Sequence, residues 1–406
     1  MSPYPLVVFG DDWGRHVSSM QHLLRHLFAS HPTIWVNGIG HRVPALSDAR
    51  RAWKKVREIS RPRTGVAANS IQHAASNGDR SMDDAVPTSA PRSVVHPMVV
   101  PLHHWSGVER LNAWSLTRAI RGALAGAGLG RPVVITGTPP SVAVLGKLDE
   151  IATIYFCMDD WAHLPTVSPH MLLPLERRLL AGADAVVATA RTLMQLKVPA
   201  NGRMHYLPQG VNFEHFSTRR AVPPDIVHLP RPWIGFAGGI GPALDLDVIH
   251  ALAAEFPRGS IILVGPEQEG LGDIRAPNIH RLGARPYDVL PAYVQAFDVG
   301  IIPYLRNSWT ESVDPLKLLE YLAAGIPVIT TDLPEVRKYS TSVRIADGVP
   351  AFVAHARDVM VDEQPGGRSI RQAVAAANTW QARAAEFQGI MDDVVQAKLS
   401  SRGATA

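Results

Sequence analysis

The segment ESVDPLKLLEYLAAGIPVITTD, residues 311–332, brings a helix start, an amine and carboxylates together in one short stretch. Asp314 is a good N-cap, and Pro315 suits the first helical position. Gly325 is expected to end the helix and Pro327 to prevent its return. The helix start at Asp314–Leu316, with its free N–H groups (Pro315 has none) and the positive end of its dipole, suits an anion. Lys317 falls in the first turn, where a cation is unfavourable unless an anion lies beside it. Glu320 is three residues on, so both side chains project from one helix face. An amine against a phosphate and a carboxylate against a ribose diol would grip a nucleotide. A Lys–Glu pair on a solvated surface is the plainer alternative.

Three other loops carry unusual residues. GFAGGIGP, residues 235–242, follows a β-rich run, and Gly238, Gly239 and Gly241 would let the backbone approach a bulky or charged ligand. DLD at 245–247 superficially resembles a metal-binding triplet, although acidic residues in a first helical turn are expected anyway. GDDWGRHVSS, residues 10–19, crowds Asp11, Asp12, Arg15 and His16 into one turn, with Ser18 or Ser19 capping the next helix. A salt-bridge knot would explain that turn equally. In YFCMDDWAHLP, residues 155–165, an apolar run ends abruptly in Asp159, Asp160 and Trp161, with His163 nearby. A carboxylate at a strand end can act as general base or stabilise developing positive charge. One of these two Asp residues is expected to serve only as a turn cap.

Short β-rich runs alternate with helical patterns to position these loops. Strands are expected at Leu6–Phe9, Thr33–Val36, Met98–Val100, Val133–Thr136, Thr153–Cys157, Ala185–Ala188 and His205–Leu207. A second series follows at Trp233–Ala237, Ile261–Val264, Ile279–Leu282, Val299–Pro303, Val328–Thr330 and Val343–Ile345. Helical patterns fall at Ser19–Ala29, Leu172–Ala181, Asp247–Glu255, Tyr287–Gln295 and Pro315–Ala324. Such alternation implies α/β architecture with parallel sheets covered on both faces, and two series imply two doubly wound domains. Ligands then bind beyond the carboxyl ends of the strands, where the four loops lie. The Pro-rich stretch 222–232 marks the boundary, and residues 61–93 show no period and read as a mobile surface insertion.

Composition narrows the class. At 46% apolar and 19% charged residues, the 406-residue chain is an ordinary globular sequence rather than a disordered one. The longest strongly apolar run, Ile151 to Met158, is far too short to span a bilayer. The start MSPYPLVVFGDD lacks a basic region and does not read as a signal peptide, so a cytoplasmic protein is expected. A single cysteine, Cys157, excludes an internal disulfide and a cysteine-built zinc site. Residues 1–212 hold 22 Lys and Arg against 14 Asp and Glu, while the remainder holds 18 against 22. The basic half therefore suits an anionic partner. Its densest segment, residues 47–63, reads as a basic amphipathic helix with Trp53, Val56 and Ile59 near one face. Such a helix could lie on an anionic bilayer, or simply be solvated. No recognition motif points to nucleic acid.

The motifs GDDWGRHVSSMQHL, YFCMDDW, HYLPQGVNFEHF and DPLKLLEYLAAGIPVITTD, in this order and spacing, resemble GT-B glycosyltransferases. The likeness is to bacterial family 4 enzymes of exopolysaccharide and teichuronic-acid clusters, and spans nearly all of the chain outside residues 61–93. It implies two Rossmann-like domains facing across a cleft. Residues 1–212 would bind the acceptor and 213–377 the nucleotide-sugar, with 378–406 crossing back to the first domain. Glu320 resembles the ribose-binding Glu of the family, Lys317 a diphosphate-binding Lys, and Asp159 the base of a related inverting enzyme. Asp12, and then Asp160, are further candidates for that role. The donor set would be Gly238, Gly239, Gly241, Glu311, Asp314, Pro315, Leu316, Lys317 and Glu320. Asp11, Arg15, His16 and His163 would contact acceptor or diphosphate. Two departures stand out: Ser312 occupies the position of the family's second Glu, with Glu311 beside it. Ala243, Asp245 and Asp247 lie where Arg and Lys are usual.

The implied activity is metal-independent, cofactor-free transfer of a sugar from a nucleoside diphosphate to a hydroxyl of a lipid-linked or saccharide acceptor, in cell-surface or exopolysaccharide biosynthesis. The enzyme would work at the inner face of the plasma membrane, touching it through residues 47–63. A nucleotide-sugar 2-epimerase on the same fold, or a non-catalytic sugar-binding protein, is the alternative.

Overall fold

The computed structural model describes residues 3–14, 17–40, 90–101, 105–165, 167–268, 272–361 and 366–403. The basic segment 47–63 and most of the expected insertion, 61–89, lie outside the described residues.

The first lobe is built on β1 (Leu6–Phe9), β2 (Thr33–Val36), β3 (Ser93–Val95), β4 (Val133–Thr136), β5 (Ala152–Cys157), β6 (Ala185–Ala188) and β7 (Met204–Tyr206). They form one parallel sheet in the order β3-β2-β1-β4-β5-β6-β7. The second lobe uses β8 (Trp233–Ala237), β9 (Ser260–Val264), β10 (Ile279–Gly283), β11 (Val299–Ile302), β12 (Val328–Thr331) and β13 (Arg344–Ala346). These are also parallel, in the order β10-β9-β8-β11-β12-β13. The central strands are buried along their whole length, which explains runs such as LVVF and SIILV with no polar alternation. In each sheet the strand order reverses beside the first strand, between β1 and β4 and between β8 and β11. Those switch points open a crevice at the carboxyl ends of the strands.

Helices cover both faces. In the first lobe these are α1 (Ser19–Arg25), α2 (Ser106–Gly126), α3 (Pro169–Gly182) and α4 (Arg191–Leu196); α5 (Phe213–Ser217) follows in the linker. The second lobe has α6 (Leu246–Glu255), α7 (Leu290–Ala296), α8 (Leu316–Ala324), α9 (Gly348–Val361) and α10 (Gly367–Ala376). The last helix, α11 (Trp380–Gly403), returns to the first lobe. Its Trp380, Phe387, Met391 and Val395 join the cluster of Leu6, Val8, Leu23 and Phe156. The outgoing and returning chains run side by side, with Val211 N–H donating to Asn378 and Trp380 N–H donating to Val211. No helix among the described residues is long and apolar enough to cross a membrane.

The structure moves some expected elements. The third strand is Ser93–Val95, not Met98–Val100. Pro97 and Pro101 bracket that later segment, and the Asn112 side chain takes both the N–H and the C=O of Val100, at 2.8 and 2.7 Å. Residue 93 therefore belongs to the sheet rather than to an insertion. Helix α1 stops at Arg25 instead of Ala29, and the chain tightens into i,i+3 turns at Leu27 and Ser30 ahead of Pro32. The pattern at Tyr287–Gln295 opens as a 3₁₀ turn, Tyr287–Val289, because Pro291 can sit only in the first turn of the α-helix that follows.

Candidate active site at the lobe boundary

Helix α8 begins at Leu316, with Pro315 as its N-cap and no side chain capping it. Asp314 was expected to cap; instead its carboxylate accepts from Gln209 N–H at 3.0 Å and from Lys338 at 2.9 Å. The early N–H groups of α8 are thus left without a capping side chain. Gly325, at φ 78°, closes the helix in the left-handed conformation, as the sequence suggests. The tip lies at the lobe boundary. Leu316 packs against the first-lobe cluster that includes Trp13 and Met158, the residues beside Asp12 and Asp159.

The glycine loop after β8 lies against the first turn of α8. A Cβ on Gly238 would stand 2.7 Å from Lys317 Cε and 3.1 Å from its Nζ. Gly238 has φ 151°, and its carbonyl is so close to Gly265 that a Cβ there would lie 1.8 Å from it. Only glycines permit this contact. Lys317 Nζ also donates to the Tyr304 hydroxyl and sits over the rings of Phe236 and Tyr304, 5.1 and 4.7 Å from their centroids. Its ammonium is held by aromatic faces and one hydroxyl, with no carboxylate in ion-pair contact among the described residues. Gln268 covers the rest of the loop: a Cβ on Gly239 would meet its Nε2 at 2.7 Å, and one on Gly241 its Oε1 at 2.3 Å.

Glu320, one turn along α8, is 7% exposed. Its carboxylate accepts no hydrogen bond among the described residues. Burial pushes it up from 4.5 to about 7, with Lys317 pulling the other way. A nearly buried carboxylate without partners is a group awaiting donors.

The first lobe contributes the loops after β1 and β5. Asp159, half-buried, follows β5 with no hydrogen bond to its side chain among the described residues. Burial raises it to about 6, helped by the negative charges of Asp11 and Asp160. Asp160 has the opposite fate. Its carboxylate meets Lys197 at 2.7 Å and His163 at 2.6 Å, and Lys197 reaches Glu176 at 2.9 Å. Tyr155 and Trp161 complete this buried network. Burial alone would raise Asp160, but the bonds from His163 and Lys197 hold it low. Asp160 therefore leaves the set of candidate bases, and His163 serves as its partner. Asp12 Oδ1 accepts from Gly38 N–H at 3.1 Å and braces the loop. Asp11 is exposed, and its negative charge is felt at Asp159. Arg15 and His16 lie outside the described residues.

The other expected donor residues divide. Glu311 sits in a 3₁₀ turn, Thr310–Ser312, and its charge acts on Arg337. Asp245, the first residue of the acidic triplet, caps α6 through the N–H groups of Asp247 and Val248. Sequence reasoning did not reach Tyr304, Gln268 or the Glu335–Lys338 pair. Glu335 accepts from Tyr206 at 2.6 Å and from Lys338 at 2.8 Å. With Asp314 on Lys338, this cluster ties the two lobes beside α8. Only the position of Tyr304 at the end of β11, beside a switch point, was a usable signal.

Two parallel-sheet lobes joined by a crossing helix, with both switch points meeting at one boundary, define the GT-B fold. Sucrose-phosphate synthase from Thermosynechococcus elongatus has the same architecture, with a TM-score of 0.68 and 15% identity over 97% of this chain and 100% of its own. HepE of Anabaena, solved with UDP and glucose, matches at a TM-score of 0.64 and 13% identity over 96% of this chain and 100% of its own. Residues 231–362, the body of the second lobe, match the family Glycosyl transferases group 1. TuaH of Bacillus subtilis (strain 168), named as a teichuronic acid biosynthesis glycosyltransferase, is 32% identical over 219 residues. That match takes in 49% of this chain, which spans about half the length of the relative, 54%.

Proposed function

We propose that this protein transfers a sugar from a nucleoside diphosphate sugar to an acceptor hydroxyl, as a step in building a cell-surface polysaccharide. The observation that carries the reading is the pairing on α8. A lysine free of carboxylate partners lies against a glycine loop, and an unpartnered, nearly buried glutamate lies one turn along. Diphosphate oxygens complement the first, and a ribose diol, with two O–H donors, complements the second. The UDP in HepE and the name of TuaH support a nucleotide-sugar donor and a cell-surface product.

In this reading the bond from the anomeric carbon to the diphosphate lengthens, and negative charge grows on the leaving oxygens. Lys317 and the uncapped N–H groups of α8 stabilise that charge without a metal ion. Asp159, ionised above about pH 6, accepts the proton of the attacking hydroxyl if the product is inverted. If configuration is retained, the leaving phosphate takes that proton and Asp159 orients the acceptor. The acceptor is a lipid-linked or growing saccharide at the cytoplasmic face of the membrane.

Incubation with nucleotide-sugars, with and without a saccharide or lipid-linked acceptor, tests the reading. Acceptor-dependent release of nucleoside diphosphate is expected. An epimerised nucleotide-sugar formed with no acceptor present would replace the transferase by a 2-epimerase.

A further inference from the structure

Helix α2 shows a face that no element among the described residues covers. Gly107, Arg110, Leu111, Trp114, Arg118 and Arg121 lie along one side of it, all exposed. The opposite side, Leu116, Ile120 and Leu124, is buried in the core of the first lobe. Trp114 is 64% exposed and Leu111 54%. On the Leu111 flank the Met98–Val100 segment is tied down by Asn112 and by Ser115, whose hydroxyl donates to the Met98 carbonyl at 2.9 Å. Met98 there is 63% exposed. On the other flank Arg110, Arg121 and Lys147 border a broad hollow of about 1360 Å³, floored by Ala113 and Thr117.

The charge on this face is one-sided. Its acid, Glu109, is held by Arg178 at 2.7 Å. Arg110, Arg118 and Arg121 have no carboxylate partner among the described residues. An indole at the centre, aliphatic side chains on one flank and unpaired guanidiniums on the other match the interface of an anionic bilayer. There the apolar groups enter the acyl boundary and the cations meet phosphate. A second copy of this chain would oppose arginines to arginines. A soluble acidic saccharide would leave Leu111 and Met98 in water.

We propose that the outer face of α2, centred on Trp114, docks the first lobe onto an anionic membrane surface. This surface is distinct from residues 47–63, and the inference does not depend on the transferase reading. The test is co-sedimentation of the full chain with phosphatidylcholine vesicles, with and without phosphatidylglycerol. Binding is expected only when phosphatidylglycerol is present. R118Q/R121Q should weaken it about tenfold or more, and W114A/L111A by a similar factor. All four positions are exposed, so the fold should survive. Should either variant misfold, quenching of tryptophan fluorescence by brominated lipid gives a second readout: with four of the nine tryptophans buried, partial quenching is expected in the wild type and should fall in W114F.

Several results would overturn the proposal: no binding to anionic vesicles, binding unchanged in both variants, or wild-type tryptophans unquenched by lipid. So would variants that bind vesicles normally but lose a soluble acidic polysaccharide or self-association.

Discussion

Glu320→Gln separates the physics of the site from its chemistry. A folded-state value of about 7 against 4.5 means that the folded chain holds this proton more tightly than the unfolded chain. Between those two values the folded state binds more protons, so stability falls as pH rises, and the full loss is present above about 7. The difference corresponds to roughly 3 kcal/mol. Gln cannot ionise, so it removes that slope. Any cost of burying the amide without partners is the same at every pH. The variant minus wild-type difference in Tm should therefore climb between about pH 4.5 and 7 and then level off. At about 2–4 °C per kcal/mol the climb is several degrees. Thermal unfolding of the ligand-free protein across that range measures it. The same variant should bind UDP about tenfold to a hundredfold more weakly, having lost charge-assisted bonds to the ribose. A Tm difference that is flat with pH would show that the carboxylate is already solvated or paired, and would remove the argument that it awaits donors.

Lys317→Ala should weaken UDP roughly tenfold to a hundredfold while leaving uridine binding nearly unchanged; calorimetry with both ligands checks this, and equal losses would count against a phosphate contact. Asp159→Asn should lower turnover by roughly a hundredfold or more with little change in donor affinity. In the wild type the rate should fall as pH drops below about 6, where Asp159 takes up a proton, and the initial-rate pH profile reads this directly. Activity should persist in the presence of a strong chelator; loss restored by Mg²⁺ would transfer charge stabilisation from Lys317 to a metal.

Much of the fold was legible because both sheets are parallel and buried. Runs such as LVVF, TIWV, VVIT and WIGFA become β1, β2, β4 and β8 with the same bounds. The helix start near 315 was legible from Pro and Gly as punctuation. Helix α2 was not, although it is 21 residues long. Its exposed Leu111 and Trp114 blur the apolar period, and its Ala- and Gly-rich second half weakens the contrast between faces. The role of Asp314 was hidden because its partners, Gln209 and Lys338, are set by the packing of one lobe on the other. Local sequence favoured a cap there; a buried N–H and a lysine competed for the same carboxylate and won.

Asp159 and Asp160 show what pattern alone leaves open. They are adjacent in one turn, so type and spacing treat them alike. The backbone at the end of β5 sends Asp160 inward, where Lys197 is 6% exposed at its side chain and needs a counter-charge. Removing Lys197 would strand the carboxylates of Asp160 and Glu176 in the interior, a loss of about 3–5 kcal/mol, whereas removing Asp160 leaves Lys197 with Glu176 alone. That cost holds Asp160 on Lys197. Asp159 is raised by burial and by the like charges of Asp11 and Asp160 rather than lowered by a cation. Asn at 160 should disturb folding first, whereas Asn at 159 should spare the fold and reach the chemistry.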